Sequence, residues 1–430
     1  MASTRRGTRL ALPGAAVALA LGLASAGLAQ QAGPPPVPPS GGHTATALTD
    51  GTVLVVSGSD ASLFHPREGS WTAAASPAVP RSGHAAVLLP NGNVLVTGGY
   101  PDSVASAAVE TFDPAAGTWK PARPMPLARF DHTLTVLDDG SVLVAGGRAA
   151  GHGPFLANAE RYDPATDTWR PTGSMPLGRA FHTATKLADG RVLVTGGQST
   201  PHDKSLRDAV LFDPSKDTWT AVHQLMSVNR ARHTAALLPD GTVLIAGGTR
   251  QREGQQAADL ETSAEVYDPQ TDSFTPTASL HVGRAGQGVV SLPGGVVLVV
   301  AGEQTTSGDT PETAVASAEL YEPATRQWRQ LASPGRGAMS ATATLLVGNC
   351  DPHCGEVLVV DAAGALLYSV TNSSHRVSRG GSHGSTTALL VLLAVLVSAT
   401  GVGALLLRRR RERSANRRPP SVRDRSPARS

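Results

Sequence analysis

Continuous apolar runs bounded by glycine-containing turns recur along most of this chain, and they predict buried β-strands. The clearest copy contains Val142–Ala145, a run that follows the pair Asp139-Gly140 and ends at Gly146-Gly147. An Asp-Gly pair accepts the positive φ of a tight hairpin turn. An apolar run without polar alternation indicates a strand covered on both faces. The pattern therefore predicts antiparallel hairpins that pack face to face.

The unit recurs with a regular period. Its equivalent first positions are His43, His84, His132, His182, His233, Gln287 and Met339. These positions are 41, 48, 50, 51, 54 and 52 residues apart. Each unit predicts four strands, because the apolar hairpin is followed by an aromatic residue with Asp-Pro or Glu-Pro and then by a second aromatic strand. A period of roughly 50 residues with these marks is typical of a β-propeller.

Several repeated residues are assigned to the architecture. A ring that recurs at a fixed register packs between repeats, and a glycine pair lets a neighbouring backbone approach closely. In the best-preserved copies these residues are Gly98, Gly99, Gly146, Gly147, Gly196, Gly197, Gly247, Gly248, Trp119, Trp169 and Trp219. The repeated histidines are expected to bond the backbone of their own blade rather than to bind a metal.

Residues 42–370 resemble the kelch-repeat propellers, because Gly-Gly, the (Tyr/Phe)-Asp-Pro turn and the Trp recur in phase. The resemblance implies an all-β fold of seven blades, with six blades as the alternative. It also implies that a strand from the opposite terminus closes the ring, and the proline-rich segment 30–41 is the candidate. The repeat departs from Gly-Gly in three units, at Ser57-Gly58, Ala301-Gly302 and Val360-Asp361.

Galactose oxidase shares the kelch architecture, so the resemblance raises an enzyme hypothesis. Its copper site needs two Tyr, two His and a Tyr cross-linked to a Cys. The two cysteines here, Cys350 and Cys354, lie together in one predicted hairpin loop, so that site is not carried over and no cofactor or metal is assigned. Their even number favours a disulfide. A metal site that includes His353 is the alternative, but no fourth ligand is nearby.

The two ends of the chain predict export and membrane anchoring. Residues 1–29 have the basic start, apolar stretch and small residues of a signal peptide, with cleavage after Ala26 or Ala29. Residues 371–385 form a Ser/Gly-rich linker, and 386–407 is long and apolar enough for a transmembrane helix. The Arg-rich tail 408–430 is expected to remain cytoplasmic. A sorting signal that is cleaved after export is the alternative.

The overall charge of +3 reflects this topology and not nucleic-acid binding. The tail 408–430 contributes +8 and the leader +3, so residues 10–407 carry −8. An acidic domain is a poor partner for DNA or RNA. The ratio of 33 Arg to 4 Lys is typical of a G+C-rich bacterial genome.

Strand direction predicts where a ligand would bind. With four antiparallel strands per blade, the loops between second and third strands share one face with the links between blades. We name this the loop face, and the opposite side, with its short repeated turns, the turn face. The variable insertions fall on the loop face, at 100–108, 148–157, 198–208, 249–263 and 303–317. An arginine three residues before the first position of each unit is expected to ring the channel mouth there: Arg81, Arg129, Arg179, Arg230, Arg284 and Arg336.

Four aromatic residues outside the repeat, Tyr100, Phe130, Phe155 and Phe181, map to the same face. Arginine and aromatic side chains are enriched in recognition hot spots. The predicted ligand-binding residues are therefore these four with Arg129, Arg179 and Arg230, for an anionic or carbohydrate-like ligand or an acidic peptide. The alternative is that each arginine ties one blade to the next and that Phe130 and Phe181 pack inward.

The first functional hypothesis is a membrane-anchored binding module that recognises a protein segment or carbohydrate on the loop face. The second is an extracytoplasmic hydrolase, isomerase or oxidase-like enzyme with an active site built from inter-blade loops. No catalytic residue is assigned, because neither a Ser–His–Asp arrangement nor a paired-carboxylate motif stands out.

Overall fold

The computed structural model describes residues 29–32, 35 and 42–370, except 102–103, 150–154, 201–204, 252–257, 305–312, 335–336, 338–339 and 363. This part of the chain forms seven four-stranded antiparallel sheets. The first strand of each sheet contacts the first strands of the two adjacent sheets, so these innermost strands close a ring around a channel. The fold is thus an all-β propeller of seven blades, as the repeat predicted, and the six-bladed alternative is wrong.

The strands keep the same order in every blade, from the channel outward. The innermost strands are Thr44–Ala47, Ala85–Leu88, Thr133–Val136, Thr183–Lys186, Thr234–Leu237, Gly288–Ser291 and Thr342–Leu345. The second strands are Val53–Ser57, Val94–Thr97, Val142–Ala145, Val192–Thr195, Val243–Ala246, Val297–Val300 and Val357–Asp361. The third strands are Asp60–His65, Val109–Asp113, Ala159–Asp163, Ala209–Asp213, Ala264–Asp268, Ala318–Glu322 and Gly364–Tyr368.

The outermost strands complete six blades from within the repeat, at Ser70–Ala73, Thr118–Ala122, Thr168–Pro171, Thr218–Ala221, Ser273–Thr277 and Gln327–Leu331. Two short ribbons extend the loop face of blades five and six. They pair Thr249–Arg250 with Asp259–Leu260, and Glu303–Gln304 with Thr313–Ala314.

The seventh blade takes its outermost strand from the amino-terminal side. Ala29–Gln31 pairs with Gly364–Tyr368, with Ala29 opposite Tyr368. The indole of Trp71 in blade one donates to the carbonyl of Ala32, 3.0 Å away, so the closing strand is joined to both of its neighbours. The closing strand therefore precedes the proline run of the segment 30–41 and includes the last residue of the predicted leader 1–29.

The core lies between blades, and the repeated residues explain why. The second strands are buried over their whole length, as expected for strands sandwiched between neighbours. Repeated tryptophans bridge adjacent blades, since the Trp169 and Trp219 indoles donate to the carbonyls of Arg123 and Gly173 at the end of the preceding blade. The rings of Phe112 and Trp119, at the two repeated aromatic positions of blade two, are 5.1 Å apart.

The second glycine of each pair lies against the backbone that leads into the innermost strand of its own blade. Gly147 has a φ of 98°, and a Cβ there would lie 2.7 Å from the carbonyl oxygen of Phe130 and 2.9 Å from the Cβ of His132. Only a residue without a side chain fits both the conformation and the space. The structural role predicted for the glycine pairs therefore has a direct steric cause.

The histidines bond across blades, which corrects the expectation of bonds within one blade. The Nε2 atoms of His84, His182 and His233 lie 2.9 to 3.1 Å from the hydroxyls of Thr44, Thr133 and Thr183, each in the preceding innermost strand. His43 bonds Thr342 of blade seven at 3.2 Å and so joins the first blade to the last.

Blade seven departs from the repeat in register. Its innermost strand begins at Thr342, one residue after Ala341, so Ala341 and not Met339 occupies the histidine-equivalent position. By the same count Ala338, and not Arg336, stands three residues earlier. Without a histidine or a Gly-Gly pair the sequence offers no mark from which to count.

The predicted disulfide is present between Cys350 and Cys354, with sulfur atoms 2.12 Å apart. It fixes the loop between the first two strands of blade seven, which sets aside the alternative of thiolate metal ligands. Residues 1–28 of the predicted leader (1–29), and the predicted linker (371–385), transmembrane helix (386–407) and tail (408–430), lie outside the described residues. Within the described ranges there is no helix with the length and apolarity needed to span a bilayer.

Candidate functional site on the loop face

The predicted ligand-binding arginines are structural. The side chains of Arg129, Arg179 and Arg230 have no exposed surface, and each pairs with a carboxylate of its own blade. These partners are Glu160 at 2.5 Å, Asp208 at 2.7 Å and Glu265 at 2.9 Å. Arg81 and Arg284 pair in the same way with Glu110 and Glu319. The arginines predicted to contact a ligand therefore have no exposed side-chain surface in this fold and are partners in internal ion pairs.

Each arginine connects two blades, which agrees with the alternative interpretation. The guanidinium of Arg129 also donates to the carbonyl of Gly146 in blade three, at 3.0 Å. The backbone carbonyl of Arg129 accepts from the amide of Gly99 in blade two, at 3.0 Å. Burial lowers the pKa of Arg129 and raises the pKa of Glu160, while each partner opposes the other's shift. The pair is thus a desolvated ion pair that holds the link between blades.

The four unrepeated aromatic residues do come together on the loop face, around an arginine that was not predicted. The guanidinium carbon of Arg148 lies 4.3 Å from the ring centre of Phe130, 4.8 Å from that of Phe181 and 5.9 Å from that of Phe155. Tyr100 packs on Phe130 with ring centres 4.8 Å apart. Phe130 and Phe155 are buried, whereas Tyr100 and Phe181 are partly exposed. The aromatic residues therefore form a cage for one cation.

Asp131 completes this cage. The Nε of Arg148 donates to Oδ2 of Asp131 at 2.9 Å, and the Nη2 of Arg148 contacts the same oxygen. About a fifth of each side chain is exposed, at 21% for Arg148 and 17% for Asp131. Burial raises the pKa of Asp131, and the nearby Arg148 and Arg232 act against that rise. Arg148 and Asp131 therefore form a partly exposed ion pair, unlike the buried pair of Arg129 and Glu160.

The residue immediately before each histidine-equivalent residue forms a ring at this end of the channel, and we name it the mouth position. Its seven occupants are Gly42, Gly83, Asp131, Phe181, Arg232, Gly286 and Ser340. All have a positive φ, between 48° and 78°. The amide of Asp131 donates to the carbonyl of Gly83 at 2.8 Å, and the amide of Arg232 donates to that of Phe181 at 2.9 Å. The mouth positions are thus joined to neighbouring blades through their backbone.

A second charged pair stands beside the first. The two terminal nitrogens of Arg232 donate to the two oxygens of Glu303 at 2.8 and 2.7 Å. The hydroxyl of Ser340 donates to the same carboxylate at 3.0 Å. Glu303 is 4% exposed, but Arg232 is 36% exposed, so one guanidinium is presented to solvent at the mouth.

The copper site of the oxidases does not fit these residues. The two cysteines bond each other, so neither is available for a tyrosine cross-link. The tyrosines at the third-strand position are buried core residues: Tyr162, Tyr267, Tyr321 and Tyr368. In the described ranges no three His, Cys, Asp or Glu side chains are grouped in a way that could hold a metal ion. We therefore derive no chemistry through a metal.

Comparisons with known proteins agree with the fold. Residues 42–248 match the family model of the KLHDC2/KLHL20/DRC7 Kelch-repeats domain. This part of the chain is therefore a kelch-repeat domain, and the structure shows a propeller of seven blades. No curated protein matches it in sequence.

Many solved structures resemble it in fold, among them the following two. A fungal alcohol oxidase of the AA5 family in complex with copper aligns with a TM-score of 0.66 and 19% identity, over 80% of this chain and 76% of that one. The structure of YjhT aligns with a TM-score of 0.55 and 18% identity, over 70% of this chain and 99% of that one. At such identities the likeness describes the fold alone.

Proposed function

We propose that this protein is an extracytoplasmic, membrane-anchored binding module whose ligand, a carbohydrate or a protein segment, sits at the channel mouth of the loop face. The main support for this proposal is the partly exposed cluster of Arg148 with Phe130, Phe181 and Asp131. Aromatic and arginine side chains that are partly desolvated and fixed by neighbours are the usual composition of recognition hot spots.

The charges of the mouth narrow the type of ligand. Asp131 and Arg148 form one pair, and Glu303 and Arg232 form another, so the four formal charges cancel. A free anion would have to compete with a carboxylate already bound to either guanidinium. A neutral ligand rich in hydroxyls or amides needs no such exchange, because paired charged groups keep lone pairs and N–H groups for hydrogen bonds. This argues against the anionic ligand that the buried arginines suggested.

The full-length protein tested against arrays of neutral glycans, acidic glycans and peptides would identify the ligand. We expect binding by the wild type and a loss of at least about tenfold in affinity, or about 1.4 kcal/mol, in Arg148→Ala. Arg170→Ala is the matched control, since Arg170 is an exposed arginine of the outermost strand of blade three that also pairs with an aspartate, Asp217. Equal loss in both variants, or loss only in the control, would place the ligand elsewhere.

The anchoring part of the proposal rests on the sequence pattern of the two ends. An apolar stretch at 386–407 followed at once by arginines orients the tail inward. Protease added to intact cells should remove the propeller and spare a tag placed after Ser430. Loss of the tag with a protected propeller would reverse the topology, and a mature protein that ends near residue 384 would favour the sorting-signal alternative.

A further inference from the structure

The mouth positions share one backbone conformation but differ in side chain. Gly42, Gly83 and Gly286 occupy three of them, and the four others have side chains at φ values of 48° to 57°. The left-handed conformation suits glycine and is unfavourable for a residue with a Cβ atom. Strain of this kind persists only where surrounding structure holds it, and it concentrates at binding and catalytic sites. Those four residues therefore need an explanation that the fold does not provide.

Three of them are adjacent and chemically distinct. Asp131, Phe181 and Arg232 stand at the mouths of blades three, four and five, as an acid, a ring and a base. Asp131 and Phe181 both contact Arg148. Arg232 pairs with Glu303 of blade six and lies near enough for its charge to act against the raised pKa of Asp131. The mouths of blades one, two and six offer only backbone at this position. The ring of mouth positions therefore has an acidic, an aromatic and a basic side chain next to one another on one side of the channel.

Left-handed residues on the turn face differ in what they bond. Asp167 and Asp272 have a φ of 52°, and their carboxylates accept from the repeated Tyr162 and Tyr267 at 2.9 and 2.8 Å. Those aspartates serve the repeat, since they satisfy buried tyrosine hydroxyls. The mouth residues instead contact Arg148 and Glu303, which follow the glycine pairs or their equivalent and vary from blade to blade. Their contacts are therefore local to this site.

We infer that Asp131, Phe181 and Arg232 are the specificity-determining residues of the mouth, kept where the backbone favours glycine because their side chains select the ligand. This inference rests on the proposed binding function. The ligand would offer a hydrogen-bond donor to Asp131, an apolar face to Phe181 and an acceptor to Arg232, arranged along one side of the mouth. Changes at these three positions then alter specificity without rebuilding the propeller.

Paired alanine and glycine substitutions distinguish the effect of the backbone conformation on stability from the effect of the side chain on binding. Phe181→Ala and Phe181→Gly lose the same ring, as Arg232→Ala and Arg232→Gly lose the same guanidinium, but only the glycine variants relieve the conformation. We expect each glycine variant to melt at a higher temperature than the alanine variant at its site, the reverse of the usual order. We expect all four to bind any ligand found on the glycan and peptide arrays at least about tenfold more weakly.

Two further variants complete the test. Arg326→Gly is the control, because Arg326 is an exposed residue at a φ of 54° on the turn face, and it should bind like the wild type. Phe181→Asn keeps a residue that tolerates the left-handed conformation and should change the order of preference among array ligands.

The outcomes are distinguishable. Normal binding in the glycine variants would overturn the specificity role while leaving the binding function intact. Glycine variants that melt below their alanine partners would show that these positions are not strained, and the inference would also fall. Wild-type protein that binds nothing on the arrays would overturn the proposed function and this inference together.

Discussion

Arg129 shows at the scale of one residue how an architectural arginine resembles a binding one. It repeats in register, stands on the loop face and precedes an aromatic residue, yet its side chain is sealed against Glu160 and Gly146. The sequence did contain a sign of this, because the second residue of the third strand is a glutamate in four blades: Glu110, Glu160, Glu265 and Glu319. A repeated acid that matches a repeated base indicates an internal pair.

Removal of one partner of the Arg129–Glu160 pair should strongly lower the stability of the protein. We expect Arg129→Ala to lower the free energy of unfolding by about 3–5 kcal/mol, because it leaves Glu160 buried without its counterion. Urea denaturation measures the loss. Arg170→Ala, which breaks an exposed pair with Asp217, should cost about 0–1 kcal/mol. Similar decreases in the free energy of unfolding of both variants would mean that burial of the Arg129–Glu160 pair does not contribute to stability.

The buried histidines that surround the channel should make the stability of the propeller depend on pH. Burial lowers the pKa of His84 and His182 to about 3, against an ordinary value of 6.5. Below pH 6.5 the unfolded chain binds protons that the folded chain does not, so stability falls as the pH falls from 6.5 towards 3. The slope for each histidine is about 1.4 kcal/mol per pH unit.

A neutral substitute at this position already exists in the chain, since Gln287 takes the place of the histidine in blade six. His182→Gln should therefore keep most of its stability at pH 7 and lose less than the wild type on acidification. Denaturation curves at pH 7, 5 and 4 compare the two proteins. A parallel decline in both would assign the acid sensitivity to other groups.

At the scale of elements, the glycine pair that ends the second strand in four blades allows the cost of a left-handed conformation to be distinguished from the cost of a steric clash. Gly147→Val should destabilise by more than the roughly 1–2 kcal/mol of a left-handed residue, because its Cβ also meets the Phe130 carbonyl. Gly241 has a φ of 86° and nothing within 4 Å of a built Cβ, so Gly241→Val measures the conformational part alone. Equal losses in urea denaturation would show that close packing at Gly147 contributes nothing.

The elements were largely predictable, and the failures have physical causes. Apolar runs and turn pairs located the strands of blades one to six, because burial and φ > 0 restrict residue type. Closure of blade seven by an amino-terminal segment was predicted, but the strand Ala29–Gln31 lies at the edge of the predicted range 30–41. It pairs through its backbone and has no side-chain pattern that would fix its bounds. The cage of Arg148 was missed because it joins three separate loops, and only its aromatic members stood out as exceptions to the repeat.

At the scale of the whole molecule, ring closure depends on three residues from the far end of the chain. A version that begins at residue 33 leaves blade seven with three strands and removes the Ala32 carbonyl that Trp71 bonds. We expect it to melt several degrees lower and to be cut faster by protease in blade seven than a version that begins at residue 27. Matching melting curves would show that the ring holds without its closing strand.

The pairing of Ala29 with Tyr368 has a mechanical consequence. The chain enters and leaves the propeller at neighbouring residues of the turn face, opposite the mouth. A force that pulls the two ends apart would act along the interstrand hydrogen bonds and break them one after another, as in a zipper, rather than load them together. Force spectroscopy with handles at residues 27 and 371 should therefore show a first, weak opening of blade seven before the remaining blades yield. A force applied to only one of the two ends would not pull this strand pair apart in the same way.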